Sequence, residues 1–223
     1  MATIEDLIAR AVLAPSSHNT QPWLFRPGEG HVDLLADRTR ALPVNDPDDR
    51  ELVISCGAAL LTLRAAAAGA GLQARVREWP DAADADWLAR IELHEGEPDT
   101  AFAALAPAIE TRRTWRKVFS ARVGARDRQL AEGSPLLSVL GTPGDSPADW
   151  LRAGQALQRA LLAGVVHGLQ ASYLNQPVEL PELRGRVQAL VPEAGVPQLV
   201  MRWGHVDAML PAAPRRPLRD VMA

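Results

Sequence analysis

A single cysteine, Cys56, stands in 223 residues, so neither a disulfide framework nor a cysteine-based metal staple is available. Cys56 falls in an apolar, alanine-rich run and reads as a small buried hydrophobe, not a nucleophile. Nothing points to an oxidising compartment. Charge of one sign is missing too: 24 basic and 27 acidic residues leave a net charge of -3. That removes the footprint of a nucleic-acid or anionic-membrane binder and leaves small molecules or proteins as partners. Glu5 and Asp6 occupy the place where a secretory leader would be basic, and no apolar run approaches membrane-spanning length, so a cytoplasmic protein is expected. Several catalytic signatures are absent: the Gly-x-Ser-x-Gly elbow, a phosphate loop ending in Gly-Lys-Ser, His-Glu-x-x-His, and paired cysteines. The five histidines lack ligand spacing. Gly69-Ala70-Gly71 closes a helix instead of opening one after a strand, which excludes a dinucleotide fingerprint. A chain of this length still buries roughly 70% of its unfolded surface, enough for one large domain or two smaller intertwined ones.

What is present starts with a helix. Thr3 and Asp6 resemble a capping box with a shortened acid, and Ile4, Leu7, Ile8 and Val12 recur at helical spacing. The helix should end near Ala14, before Pro15. Trp23 to Phe25 and His31 to Leu35 read as short strands about a Pro27-Gly28 turn. Asp46-Pro47 supplies an N-cap and a first-turn proline for a long helix reaching about Ala70, with Gly71 as its stop. Its alanines, from Ala58 to Ala70, allow close approach, which predicts an internal or intersubunit helix interface.

The second half repeats this plan. Gly57, Ala59, Leu60, Ala66, Gly71, Leu72, Gln73 and Ala74 match Gly154, Ala156, Leu157, Ala163, Gly168, Leu169, Gln170 and Ala171 at a constant offset of 97, which Pro80 and Pro177 keep. Ser146-Pro147 stands as a helix start where Asp46-Pro47 did. Short apolar strands precede each helix (Val32 to Leu35, Leu136 to Leu140) and follow it (Arg90 to Leu93, Leu199 to Trp203). The chain reads as two copies of one α+β unit. Between Phe119 and Ser134 there is little room for an equivalent of the first copy's strand-loop-strand. Pro211 to Ala223 reads as a proline-bounded arm, too extended to be a core element.

Two features carry chemistry. Ala14 to Phe25 places Ser16, Ser17, His18, Asn19, Thr20 and Gln21 between two prolines, more polar groups than a turn needs. Such a loop either faces a ligand or satisfies its own backbone. The arginine doublets Arg112-Arg113 and Arg215-Arg216 either clamp a phosphate through charge-assisted bidentate bonds or lie on a solvated surface.

Ala14-Pro15-Ser16-Ser17-His18-Asn19-Thr20-Gln21-Pro22-Trp23 resembles the flavin-side loop of the nitroreductase superfamily. With Asp37 to Arg40, Asn45 to Arg50, Gly57 to Leu60, Arg112 to Phe119, Asn175 to Glu179 and Pro214 to Pro217, most of the chain is similar to the Acg family of FMN-binding oxidoreductases. The resemblance implies a nitroreductase-like α+β fold in which two tandem related units, 1-106 and 107-223, intertwine as a pseudo-dimer within one chain, the second unit truncated. It implies FMN as cofactor, NADH or NADPH as donor, and a small acceptor such as a nitroaromatic or quinone. A flavin-sequestering protein with little turnover and a non-enzymatic homologue are the alternatives. Carried over by position, Arg113, Thr114, Lys117, Arg215 and Arg216 would hold the FMN phosphate. Pro177, Val178 and Glu179 would lie along the isoalloxazine, using backbone groups. Ser16, Ser17 and Asn19 would approach from the first copy, giving one composite site. Trp115 departs from the pattern, standing where a small polar residue is preferred: the change either crowds the phosphate or removes a hydrogen bond to it. His18 is either a proton donor or a structural group bonding its own loop. The expected partners are a small-molecule substrate, with no nucleic acid and no membrane, in a monomeric pseudo-dimer or a homo-oligomer.

Overall fold

The computed structural model describes residues 2–117, 119 and 136–223. The segment expected to be too short for a second strand-loop-strand falls almost wholly outside them. The chain is α+β. Helix α1 (Ile4–Ala11) leads to β1 (Trp23–Gly28), β2 (His31–Ala36), α2 (Arg50–Gly69), β3 (Leu72–Glu78), β4 (Trp87–Glu95) and the short α3 (Thr100–Ala103). Then follow β5 (Leu136–Thr142), α4 (Pro147–Val166), β6 (Leu169–Tyr173), α5 (Gln176–Glu179), α6 (Pro181–Leu190) and β7 (Val196–His205).

The Thr3–Asp6 capping box forms as expected and α1 buries Leu7, Ile8 and Ala11. The first hairpin turns two residues later than expected: Pro27 and Gly28 are the last β1 residues, paired with Val32 and His31. The turn itself is Glu29-Gly30, with Gly30 in the left-handed region at φ +69°. Helix α2 also starts later than Asp46-Pro47, because Asp49 sits at φ 57° and breaks helical geometry. Asp46 still caps it, its carboxylate accepting from the amides of Glu51 (3.0 Å) and Leu52 (2.9 Å).

Nearly every face of α2 is buried, as an apolar-all-round helix requires. Contrary to the sequence expectation, it is long and apolar enough to cross a membrane; it is the core helix of this fold. Cys56 is buried within it, its thiol pushed upward by desolvation. Helix α4 packs along α2. A Cβ on Gly57 would stand 2.2 Å from the Leu151 carbonyl, and one on Gly154 would stand 2.0 Å from that of Ile54. Two hydrogen bonds cross the seam, Gln158 Nε2 donating to Thr62 Oγ1 (2.9 Å) and Arg64 to Gln155 Oε1 (2.9 Å), while Gln158 Oε1 and Arg64 Nε find no partner among the described residues.

Each helix has 20 residues, and each stops at a left-handed glycine, Gly71 (φ +82°) or Gly168 (φ +75°). Each feeds directly into a strand. The antiparallel sheets run β1-β2-β4-β3 and β5-β7-β6, so strand, helix, strand, strand recurs with the last strand central both times. The arm crosses to the first sheet. Phe25 N donates to the Val221 carbonyl (2.7 Å) and Ala223 N to that of Phe25 (2.9 Å), covering the β1 edge. The arm is not purely peripheral as expected, because Val221 is fully buried in the first core cluster.

Candidate functional site

A cavity of about 1250 Å³ opens where the polar loop, the segment after α3, the β6–α5 junction and the arm meet. In the loop, His18 (φ 48°), Asn19 (φ 58°) and Gln21 (φ 51°) hold left-handed backbone that side-chain-bearing residues rarely adopt. Both readings of this loop have a share of truth. Ser16 Oγ accepts from Gln21 N (3.0 Å) and Thr20 Oγ1 donates to the Ser17 carbonyl (2.9 Å), satisfying the loop from within. Ser17 reaches out to α2: its amide donates to Ser55 Oγ (3.2 Å) and its hydroxyl to Glu51. Asn19 Nδ2 donates to the Pro214 carbonyl of the arm (3.1 Å). His18 lines the cavity.

The basic wall comes from two distant segments. Residues 111–115 lie against β6: Arg113 N donates to Gln170 Oε1 (2.9 Å) and Trp115 N to the Ala171 carbonyl (2.8 Å). Arg113 Nε reaches the Leu210 carbonyl (3.1 Å) and Arg215 donates to Asn19 Oδ1 (2.8 Å), which ties the arm across the opening. Arg112 is buried, and its Nε and that of Arg215 have no acceptor among the described residues. No described carboxylate pairs with Arg112, Arg113 or Arg215; Glu110, in the same wall, meets Arg10 instead (3.9 Å). Burial pushes Arg112 below its ordinary value, with Arg113 adding to it. Burial, then Arg112 and Arg113, bring Arg215 down to about 10. One buried and two half-buried guanidiniums that meet only neutral acceptors favour an anion.

The other end is acidic. Buried Glu51 accepts from Ser17 and Arg50, and Glu179 bonds to Glu51 from α5. Desolvation, then Glu51, push the Glu179 carboxyl up while His18 opposes them. Ile54, Leu157 and Leu199 supply an apolar floor between the ends.

Ser16, Ser17, Asn19, Arg113, Thr114, Pro177, Glu179 and Arg215 therefore share one cavity, though they come from both halves. Three expected residues do not line it. Arg216 turns away to Asp37 (3.0 Å) and to the carbonyls of Gln21 (2.9 Å) and Asp220. Lys117 is exposed, and its carbonyl accepts from Arg202 (3.1 Å). Val178 is buried, and its amide, like that of Glu179, donates to the Asn175 carbonyl (2.8 and 3.0 Å). Those two N–H groups are engaged inside α5. Trp115 is buried and is not among the residues that line the cavity. Arg112, named only as half of its doublet, lines the cavity too, as do Glu51 and Tyr173, for which the sequence suggests no role. Arg112 was visible in its doublet, and Glu51 is a carboxylate in an otherwise apolar helix.

No family model matches the chain. It is 29% identical over 313 aligned residues to "Putative NAD(P)H nitroreductase Rv3131" of Mycobacterium tuberculosis (strain ATCC 25618 / H37Rv), covering 99% of this chain and 91% of the relative. From the same strain, "Uncharacterized protein Rv3127" is 26% identical (98% and 92% covered) and "Putative NAD(P)H nitroreductase acg" 25% identical (98% and 94%). The fold is an α+β architecture of two antiparallel sheets, consistent with a nitroreductase-like protein. The similarity along nearly the whole chain makes it an Acg-like relative of these nitroreductase-named proteins.

Proposed function

We propose that the chain is an FMN-dependent, nitroreductase-like oxidoreductase that passes electrons from NADH or NADPH to a small acceptor such as a nitroaromatic or quinone. One observation carries this reading: Arg112, Arg113 and Arg215 face a single cavity without a carboxylate partner, beside an apolar floor. That donor set fits a phosphate joined to a flat ring. Arg112, Arg113 and Arg215 would hold the phosphate, Ile54, Leu157 and Leu199 would support the ring, and Ser17, His18 and Glu179 would border it. When bound, the flavin supplies the redox chemistry, and the protein supplies orientation and electrostatics.

The two halves are read as related copies that build one site between them. The 97-residue offset, the paired helices and the shared strand order support that reading. The chain has 223 residues against 313 aligned positions, so at least 90 positions (313 less 223) face no residue of this chain. This supports a shortened second unit.

The test is anaerobic spectroscopy of purified protein loaded with FMN. The flavin absorption should bleach with NADH or NADPH and return when a quinone or nitroaromatic is added. Bound flavin that neither nucleotide bleaches would contradict the oxidoreductase reading and favour flavin sequestration.

A further inference from the structure

Tyr173 is the chain's only tyrosine. It ends β6, packs against the cluster containing Ile54, Leu157 and Leu199, and lines the cavity. Its hydroxyl is buried and has no hydrogen-bond partner among the described residues. Burial holds the phenol up to about 12, Arg112 opposing and Glu51 reinforcing, so at neutral pH the group is a donor. A donor kept out of water without an acceptor is unfavourable unless something else supplies one.

We propose that Tyr173 is a ligand-positioning residue whose hydroxyl donates to a carbonyl oxygen of a conjugated ring lying on Ile54, Leu157 and Leu199. The surroundings select that acceptor. Anionic oxygens are better matched by the guanidiniums of Arg112, Arg113 and Arg215. Where the apolar floor meets a neutral donor that no described group satisfies, the complementary group is a flat ring bearing a neutral, in-plane acceptor. A ring without a carbonyl at that edge would leave the hydroxyl unpaired and bind less well. The choice of an isoalloxazine as that ring rests on the proposed function; the role of the hydroxyl does not.

Because the tyrosine is unique, 3-fluorotyrosine labelling gives one fluorine resonance. The labelled chain is titrated separately with FMN and with menadione, a quinone, and Tyr173→Phe is measured alongside. FMN should shift the resonance. Tyr173→Phe should bind FMN about three- to tenfold more weakly. Its ligand-free unfolding midpoint should be unchanged or higher, since phenylalanine keeps the packing and removes the unsatisfied donor. A resonance unmoved by both probes, or unaltered affinity in Tyr173→Phe, overturns the proposal. So does a loss of ligand-free stability, which would mean that the hydroxyl already has a partner. Menadione shifting the resonance while FMN fails to bind would remove the FMN reading and keep Tyr173 in its role. Tight FMN binding with an unmoved resonance and an unaffected phenylalanine variant would do the reverse.

Discussion

Arg215 and Glu179 line one cavity, and burial disfavours the charged form of each. For Glu179 the consequence is a pH dependence with a definite sign. Its folded value is raised above the ordinary 4.5 by burial and then by Glu51, so the folded chain binds more protons than the unfolded one. Stability linked to this group is fully present below about 4.5 and is lost as pH rises through the raised value. Glu179→Gln should remove that loss: urea unfolding at pH 4.5 and 7 should show the wild type declining relative to the variant. A constant difference would mean that the pair is not coupled as described. Which of two adjacent arginines meets the cavity was not readable from sequence. In extended backbone, neighbours point to opposite sides, so the arm sends Arg215 inward and Arg216 to Asp37. The doublet as a feature was legible; its inward member was not.

At the scale of elements, the helix pair fixes the distance between the halves. Gly57 and Gly154 lie against each other's helices, and a methyl on either would overlap a backbone carbonyl, which cannot rotate away. Gly154→Ala should therefore cost about 1–3 kcal/mol, measured by chemical denaturation. Adding Gly57→Ala should be non-additive, since both changes push the same pair of helices apart. The alanine-rich helices, their glycine stops and the flanking apolar strands were legible because spacing and composition encode them. Strands β3 and β6 were missed, although Leu72, Ala74 and Val76 alternate with Gln73, Arg75 and Arg77. Leu72-Gln73-Ala74 recurs at Leu169-Gln170-Ala171, and in both copies the alternation of apolar and polar side chains is what makes a strand. The start of α2 was misplaced because Asp46 caps from a distance, across the left-handed Asp49.

For the whole molecule, the arm joins first-half and second-half elements. Val221 fills the first core while Arg215, six residues earlier, meets the basic wall of the cavity. Val221→Ala should cost about 2 kcal/mol from two lost methyls and the space they leave. It should also raise hydrogen exchange at the Phe25 amide, which bonds to the Val221 carbonyl; unchanged protection would mean that the arm is held elsewhere. No local pattern in the sequence announces a thirteen-residue tail returning to the first sheet, because its partner lies nearly 200 residues upstream. Residues from both halves and the arm are proposed to form one FMN site per chain. FMN titration followed by flavin fluorescence, beside riboflavin and beside Arg215→Gln, tests it most directly. One FMN should bind per chain, riboflavin more weakly for want of the phosphate, and Arg215→Gln should bind FMN at least tenfold more weakly. Absence of saturable FMN binding, or equal affinity across all three measurements, would contradict it.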